Sequence, residues 1–289
     1  VVPPSQAAPG HGAPGAGRAA GTGHDVPEFV RLAAHPVRWR LLTALSAGDL
    51  RVRELMARVD APQNLVSYHL RLLREGGLVA ATRSSFDGRD SYYRLDLDRC
   101  AQTLAATGAA LHPALRGLAA SPALPDAGPR RPRCGVLVVC TGNSARSPIA
   151  EALLRHHSEG RVDAISAGTR PKPALHPGAV QVLRETYGID IAGRRPRHLD
   201  TLDGRRFDYV ITLCDKAREV CPEFDGPTRR IHWSVPDPAA PSDPPGPDGR
   251  GREAEEEAEE AAFARTAADI DTRVRYLLPV LALASEARP

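Results

Sequence analysis

Apolar positions along the chain fall into two blocks with different periods. In the first, Phe29, Val30, Leu32 and Ala33 recur at helical spacing within 26–35. Pro36, a residue favoured at a first helical position, opens a second helix over 37–47 that Gly48-Asp49 ends. A third, short helix over 51–59 turns Val52, Leu55 and Met56 inward. A fourth begins at Ala61-Pro62-Gln63, runs to Arg74 and stops at Gly76-Gly77. The stretches 78–84 and 91–95 flank Phe86-Asp87-Gly88-Arg89, the pattern of a hairpin with a charged, glycine-containing tip. A further helix over 98–117 leaves Leu104, Ala105, Ala109 and Leu111 for a partner. Helices, a recognition-type helix and then a β-wing predict a mainly α winged helix-turn-helix over 25–117.

The second block alternates. An apolar run at 135–139 reads as a buried strand and leads to a helical pattern over 147–157. A strand at 162–166, a helix at 178–187, strands at 207–213 and 230–235, and a last helix from 253 to about 284 follow. This predicts an α/β domain over 134–285, built on a four-stranded parallel sheet that binds its ligand at the carboxyl ends of the strands. Residues 1–24, rich in Gly, Ala and Pro, read as a disordered tail, and 118–133 as a linker. The stretch 239–252 is expected to loop out, and the acidic run 253–260 suits a solvated helix N-terminus.

Composition narrows this picture little. Lys and Arg number 38 against 35 Asp and Glu, a balance that does not by itself announce nucleic acid. Lys172 and Lys216 are the only lysines, a bias that a GC-rich genome explains. Five cysteines, an odd number in a chain of this length, point to reduced thiols in a cytoplasm. No run of 18 apolar residues exists, and the N-terminus lacks a basic start followed by an apolar stretch. Neither a membrane span nor a signal peptide is predicted. His156, His157 and His198 show no metal-ligand spacing, so neither a metal nor a bound cofactor is expected.

The chemistry concentrates where the first strand of the second block ends. Cys140 and Arg146 bracket Thr141, Gly142, Asn143, Ser144 and Ala145, and Ser147-Pro148 opens the next helix. So short a loop must curl with its backbone N–H groups inward, making an anion-sized nest at a helix N-terminus. Arg146 adds a planar, bidentate fork for an oxyanion. The same positive field is expected to depress the pKa of Cys140 and hold it as a thiolate. Ser147 can hydrogen-bond that thiolate, and Asn143 can hold the loop's shape. A thiolate in an oxyanion cradle is a nucleophile for a phosphate-like centre. Residues 140–147 resemble the low-molecular-weight tyrosine phosphatase fold, and more closely its arsenate reductase branch. Ser166-Ala167-Gly168-Thr169, Leu213-Cys214 and His232-Trp233 followed by Asp237-Pro238 extend the resemblance over 134–284.

The first block resembles the metal-sensing repressors of the arsenic-responsive family. His35-Pro36-Val37-Arg38, Leu41-Leu42, Val66-Ser67-Tyr68-His69-Leu70 and Leu73-Arg74-Glu75-Gly76-Gly77-Leu78-Val79 carry that resemblance. On the fourth helix Val66, Leu70 and Leu73 are predicted to face the core. Gln63, Asn64, Ser67, Tyr68 and Arg71 would face a DNA major groove, with Arg83 and Arg89 of the wing against phosphate. The resemblance also implies a homodimer on a palindromic operator. One departure matters: where those repressors carry a Cys-x-Cys pair for arsenite, this chain reads Leu50-Arg51-Val52-Arg53-Glu54-Leu55. Cys100 is then read as a small helix residue, the alternative being a sensing thiol paired across a dimer.

Cys214 and Cys221 follow the third strand of the second block, and a phosphatase needs neither. Two extra thiols near a nucleophilic one suggest a reaction that consumes electrons, and arsenate, a phosphate mimic, can accept two. The resemblance to thioredoxin-coupled arsenate reductases implies Cys140 as nucleophile, Cys214 and then Cys221 as resolving thiols, and thioredoxin or a low-molecular-weight thiol as reductant. It also implies Asp237 as general acid. Cys134 reads as core filling. Two alternatives stay open: a tyrosine phosphatase joined to a regulator, and a repressor whose catalytic fold only senses oxyanion or redox state. Against the first, the aromatic walls that would flank a phosphotyrosine ring are not evident after Asp237.

Overall fold

The computed structural model describes residues 26–86, 88–112, 115, 134–224, 227–240 and 252–286. The predicted tail at 1–24 and linker at 118–133, and most of the loop at 239–252, lie outside the described residues.

The first block holds α1 (Glu28–Ala33), α2 (Pro36–Leu45), β1 (Leu50–Arg51), α3 (Val52–Val59), α4 (Gln63–Glu75), β2 (Val79–Arg83), β3 (Ser91–Leu95) and α5 (Leu97–Leu111). His35 caps α2 by accepting from the Val37 N–H, and Asp96 caps α5 by accepting from the Arg99 N–H. The helical periods converge on one apolar cluster that includes Leu41, Leu55, Val66, Leu70 and Leu73. The wing strands pair antiparallel from Val79↔Leu95 to Arg83↔Ser91. The sequence gives no sign of β1. It pairs with β3 through Leu50↔Tyr93 and Arg51↔Tyr92, so the antiparallel sheet has the order β1-β3-β2.

The second block holds β4 (Cys134–Cys140), α6 (Arg146–His157), β5 (Val162–Gly168), α7 (Pro177–Tyr187), a 3₁₀ turn (Leu199–Leu202), β6 (Tyr209–Thr212), α8 (Asp215–Val220), β7 (Arg229–His232) and α9 (Arg252–Glu286). The four strands are parallel in the order β5-β4-β6-β7. β4, apolar from Val136 to Val139 because both its faces are covered, lies between β5 and β6. The chain leaves it toward both sides, and that divergence opens a crevice at its carboxyl end, where Cys140 sits.

The two blocks are docked through polar groups. The Asp49 N–H donates to the His232 carbonyl at 2.8 Å, and the Asp49 carboxylate accepts from the Ser234 N–H at 2.8 Å and from Arg273 Nη1 at 3.0 Å. Gly48, at φ +132°, leads the chain into this contact; a Cβ there would stand 3.0 Å from the His232 carbonyl oxygen. Arg94 pairs with Asp269 at 3.3 Å. No helix among the described residues is long and apolar enough to cross a membrane.

Candidate functional site

The loop 140–146 is shaped by what accepts from its neighbours. The carbonyls of Cys140, Thr141, Gly142 and Ser144 accept from the N–H groups of Thr169, Arg170, Lys172 and His176, at 2.8–3.2 Å. With the carbonyls engaged on the outside, the N–H groups of the loop are left for its inner face. Asn143 takes the left-handed conformation at φ +45°, a backbone state its short polar side chain tolerates. That side chain is fully engaged: Nδ2 donates to Ser147 Oγ at 3.0 Å and Ser166 Oγ at 2.9 Å, and Oδ1 accepts from the Arg197 N–H at 2.8 Å. Buried Glu151 accepts from the Ser166 N–H and hydroxyl and pairs with Arg194 at 2.8 Å. A Cβ on Gly168 would stand 2.7 Å from the Thr141 carbonyl oxygen, so only glycine lets β5 approach the loop. Ala145, the N-cap of α6, offers no side-chain cap, which leaves the first N–H groups of the helix open to an anion.

Cys140 Sγ lies 3.0 Å from Ser147 Oγ and accepts from the Asn143 N–H at 3.2 Å. Its protonation differs from the sequence expectation. Burial pushes the thiol above its ordinary value, while Arg146 and the Ser147 hydrogen bond pull it partly back. The guanidinium is turned aside: Nη2 donates to Asp237 Oδ2 at 2.8 Å and Nη1 to the Val235 carbonyl at 3.0 Å. The fold thus joins Cys140, Arg146 and Asp237, with Asp237 on the open side and its carboxylate within reach of whatever Arg146 holds.

Cys214 Sγ lies 3.2 Å from Thr141 Oγ1, so the second thiol stands against the loop of the first. Cys214 and Cys221 cap the two ends of α8, and both are buried. Burial also raises the Cys221 thiol, with Arg230 opposing. Cys134 packs against the apolar core, and Cys100 packs in the first block with its thiol pushed up to about 11 by burial. Gln63, Asn64, Ser67, Tyr68 and Arg71 lie on the exposed face of α4, while Val66, Leu70 and Leu73 are buried. Arg83 and Arg89 are exposed on the wing, Arg83 donating to the Gly88 carbonyl at 2.7 Å. Among the described residues no group of three or more His, Cys, Asp and Glu is placed to hold a metal ion.

The sequence reading did not find the buttress of Thr169, Arg170, Lys172 and His176, because main-chain donors leave no mark in residue identity. Nor did it find Glu151, Arg194 or Arg197. The Ser166-Ala167-Gly168 run was the visible trace of that side of the site.

A buried cysteine under a curled loop that ends in an arginine, at the carboxyl end of a parallel sheet docked on a winged helix, defines the class. Residues 135–287 match the family model of low molecular weight phosphotyrosine protein phosphatases, more than half of the 289 residues, and the chain belongs to that family. Residues 35–81 match the model for bacterial regulatory proteins of the arsR family. The chain is similar to an arsenate reductase of Shouchella clausii, 37% identical over 106 residues, covering 36% of this chain and 73% of that protein. An arsenate reductase of Halalkalibacterium halodurans is 36% identical over 104 residues, with the same coverage. A solved arsenate reductase structure from Archaeoglobus fulgidus is 28% identical, covers 50% of this chain and 98% of its own, and superposes with a TM-score of 0.38.

Proposed function

We propose that the chain reduces arsenate to arsenite with its own thiols and joins that activity to an arsenic-responsive DNA-binding regulator. The relatives named arsenate reductase support the reading. One observation carries it: a second thiol, Cys214, 3.2 Å from the hydroxyl of Thr141 in the anion loop. A phosphatase needs Cys140, Arg146 and Asp237 and leaves Cys214 and Cys221 idle.

Arsenate occupies the inner face of residues 141–147 with Arg146 across its oxygens. The Cys140 thiolate attacks arsenic, Asp237 protonates the departing oxygen, and water leaves as a sulfur–arsenic bond forms. The Cys214 thiolate then attacks Cys140 Sγ. The sulfur–arsenic bond breaks, its electron pair stays on arsenic, and arsenite departs. The Cys221 thiolate attacks Cys214 Sγ, closing a Cys214–Cys221 disulfide and returning Cys140 as thiolate. A dithiol protein of the thioredoxin type, or two low-molecular-weight thiols, takes up that disulfide. One arsenate and one dithiol thus yield arsenite, water and one disulfide.

On the regulatory side, the exposed face of α4 enters the major groove of a duplex operator, with Arg83 and Arg89 against the backbone. The chain pairs as a homodimer through the first block, where Leu104 and Leu111 of α5 stand 50% and 79% exposed. The reading puts this work in a cytoplasm, because a relay of reduced thiols needs a reducing compartment.

The test is arsenate-dependent NADPH oxidation with thioredoxin and thioredoxin reductase, run beside hydrolysis of p-nitrophenyl phosphate. Arsenate-dependent oxidation that Cys214→Ser abolishes is the expected result. Ester hydrolysis alone, indifferent to Cys214, would replace the reading with a phosphatase.

A further inference from the structure

α8 faces two ways. Its ends are the two resolving thiols, Cys214 and Cys221, and its body is held by the winged-helix block. Asp215 Oδ2 accepts from the Ser85 N–H, beside the wing, at 2.6 Å and lies 3.2 Å from the Ser85 hydroxyl. Its other oxygen accepts from Ser234 at 2.8 Å and stands 3.1 Å from His232 Nε2. Arg218 pairs with Glu54 at the start of α3, and Glu219 lies 3.1 Å from Arg51 of β1. Tyr92 of β3, 1% exposed, has the guanidinium groups of Arg51 at 5.5 Å and Arg218 at 5.3 Å from its ring. One six-residue helix therefore touches the wing hairpin, α3 and β1.

The thiols at its ends are seven residues apart. Across an intact helix that spacing is about 10.5 Å along the axis. A disulfide needs roughly 4.4–6.8 Å between Cα atoms. α8 cannot keep its helical form, and with it the placement of Arg218 and Glu219, once the bond closes.

We propose that closing the Cys214–Cys221 disulfide releases α8 from the winged-helix block, so that the redox state of the reductase site reaches the DNA-binding half of the same chain. This rests on the relay proposed above. The bond forms when the Cys221 thiolate displaces the Cys140 thiolate from Cys214, two electrons having already passed to arsenic, and a dithiol reductant reverses it. The coupling is reciprocal: contacts that favour the helical, reduced segment oppose the disulfide, so weakening them from the DNA-binding side favours it.

The experiment uses the full chain with one equivalent of arsenate and no reductant, followed by amide exchange. Exchange at Ser85 and across 215–220 is expected to rise in the oxidised protein. In parallel, Glu54→Gln is equilibrated with dithiothreitol. It keeps a side-chain acceptor for the Arg51 N–H, now bonded at 2.9 Å, but loses the charge facing Arg218. Its Cys214–Cys221 equilibrium should move about fivefold or more toward the disulfide. If the wild-type disulfide forms while Ser85 exchange and the Glu54→Gln equilibrium stay unchanged, the coupling is overturned and the relay stands. If no Cys214–Cys221 disulfide forms, both fall together.

Discussion

Burial sets the direction of the Cys140 shift: the thiol is 2% exposed, and Arg146, which opposes the shift, is held toward Asp237 and Val235. The thiol sits above its ordinary value, so its thiolate fraction grows as pH rises toward and beyond that value. In a Cys214→Ser, Cys221→Ser background, alkylation of Cys140 by iodoacetamide is expected to climb through pH 9. A rate that levels off below pH 7 would show a resident thiolate instead. At this scale the sequence is informative about identity and silent about environment. Cys140 and Arg146 were legible as a pair because loop length and residue type point to anion chemistry, and Asp237 only through the family resemblance. The direction of the Cys140 shift was not, because it depends on strands and helices that cover the thiol from elsewhere in the chain. The role of Gly168 was equally hidden: its missing Cβ matters only because a Cβ there would stand 2.7 Å from the Thr141 carbonyl oxygen.

Periodicity found the longer elements and missed those too short to show a period. β1 has two residues, which carry no alternation, and exists because β3 offers it an edge. α8, six residues between two cysteines, is the shortest α-helix in the site and the one the proposed relay would distort. Cys221→Ser is accordingly expected to release one arsenite per chain and stop with a Cys140–Cys214 disulfide, which mass spectrometry of a non-reduced digest would identify. Sustained turnover with thioredoxin by that variant would remove Cys221 from the relay. α4 shows the opposite case: thirteen residues with Val66, Leu70 and Leu73 inward and Gln63, Asn64, Ser67, Tyr68 and Arg71 outward, as its pattern predicts. Tyr68 is 49% exposed, with Arg71 5.7 Å from its ring. Tyr68→Ala should therefore lower affinity for the operator by about 1–3 kcal/mol while leaving non-specific binding and its salt dependence intact. Equal losses on both in a titration across salt concentrations would make Tyr68 a packing residue.

At the scale of the whole molecule, what could not be read from the sequence is the docking of the two blocks, because its residues look like ordinary surface charges until they meet. Asp49 ends a helix pattern and Arg273 lies on a long helix, yet they are 4% and 6% exposed and bonded across the interface at 3.0 and 3.1 Å. Arg273 also pairs with Asp269 at 3.1 Å and lies 5.7 Å from the Trp233 ring. Charges this well buried cost several kcal/mol to dehydrate, and mutual pairing offsets that cost; removing Asp49 leaves Arg273 with Asp269 as its one remaining acidic partner among the described residues, so the loss falls toward the lower end of about 3–5 kcal/mol. Asp49→Ala also strips the Ser234 N–H of its acceptor. The full chain carrying Asp49→Ala should lose that much in urea unfolding, and the block containing α4 should unfold first. Adding Arg273→Met removes the under-paired cation, leaves Asp269 its pairing with Arg94, and should recover part of the loss. That recovery is the discriminating observation: if the double variant is as unstable as the sum of its single changes, Asp49 and Arg273 act independently, and the blocks are held together by the contacts of α8 and Arg94 instead.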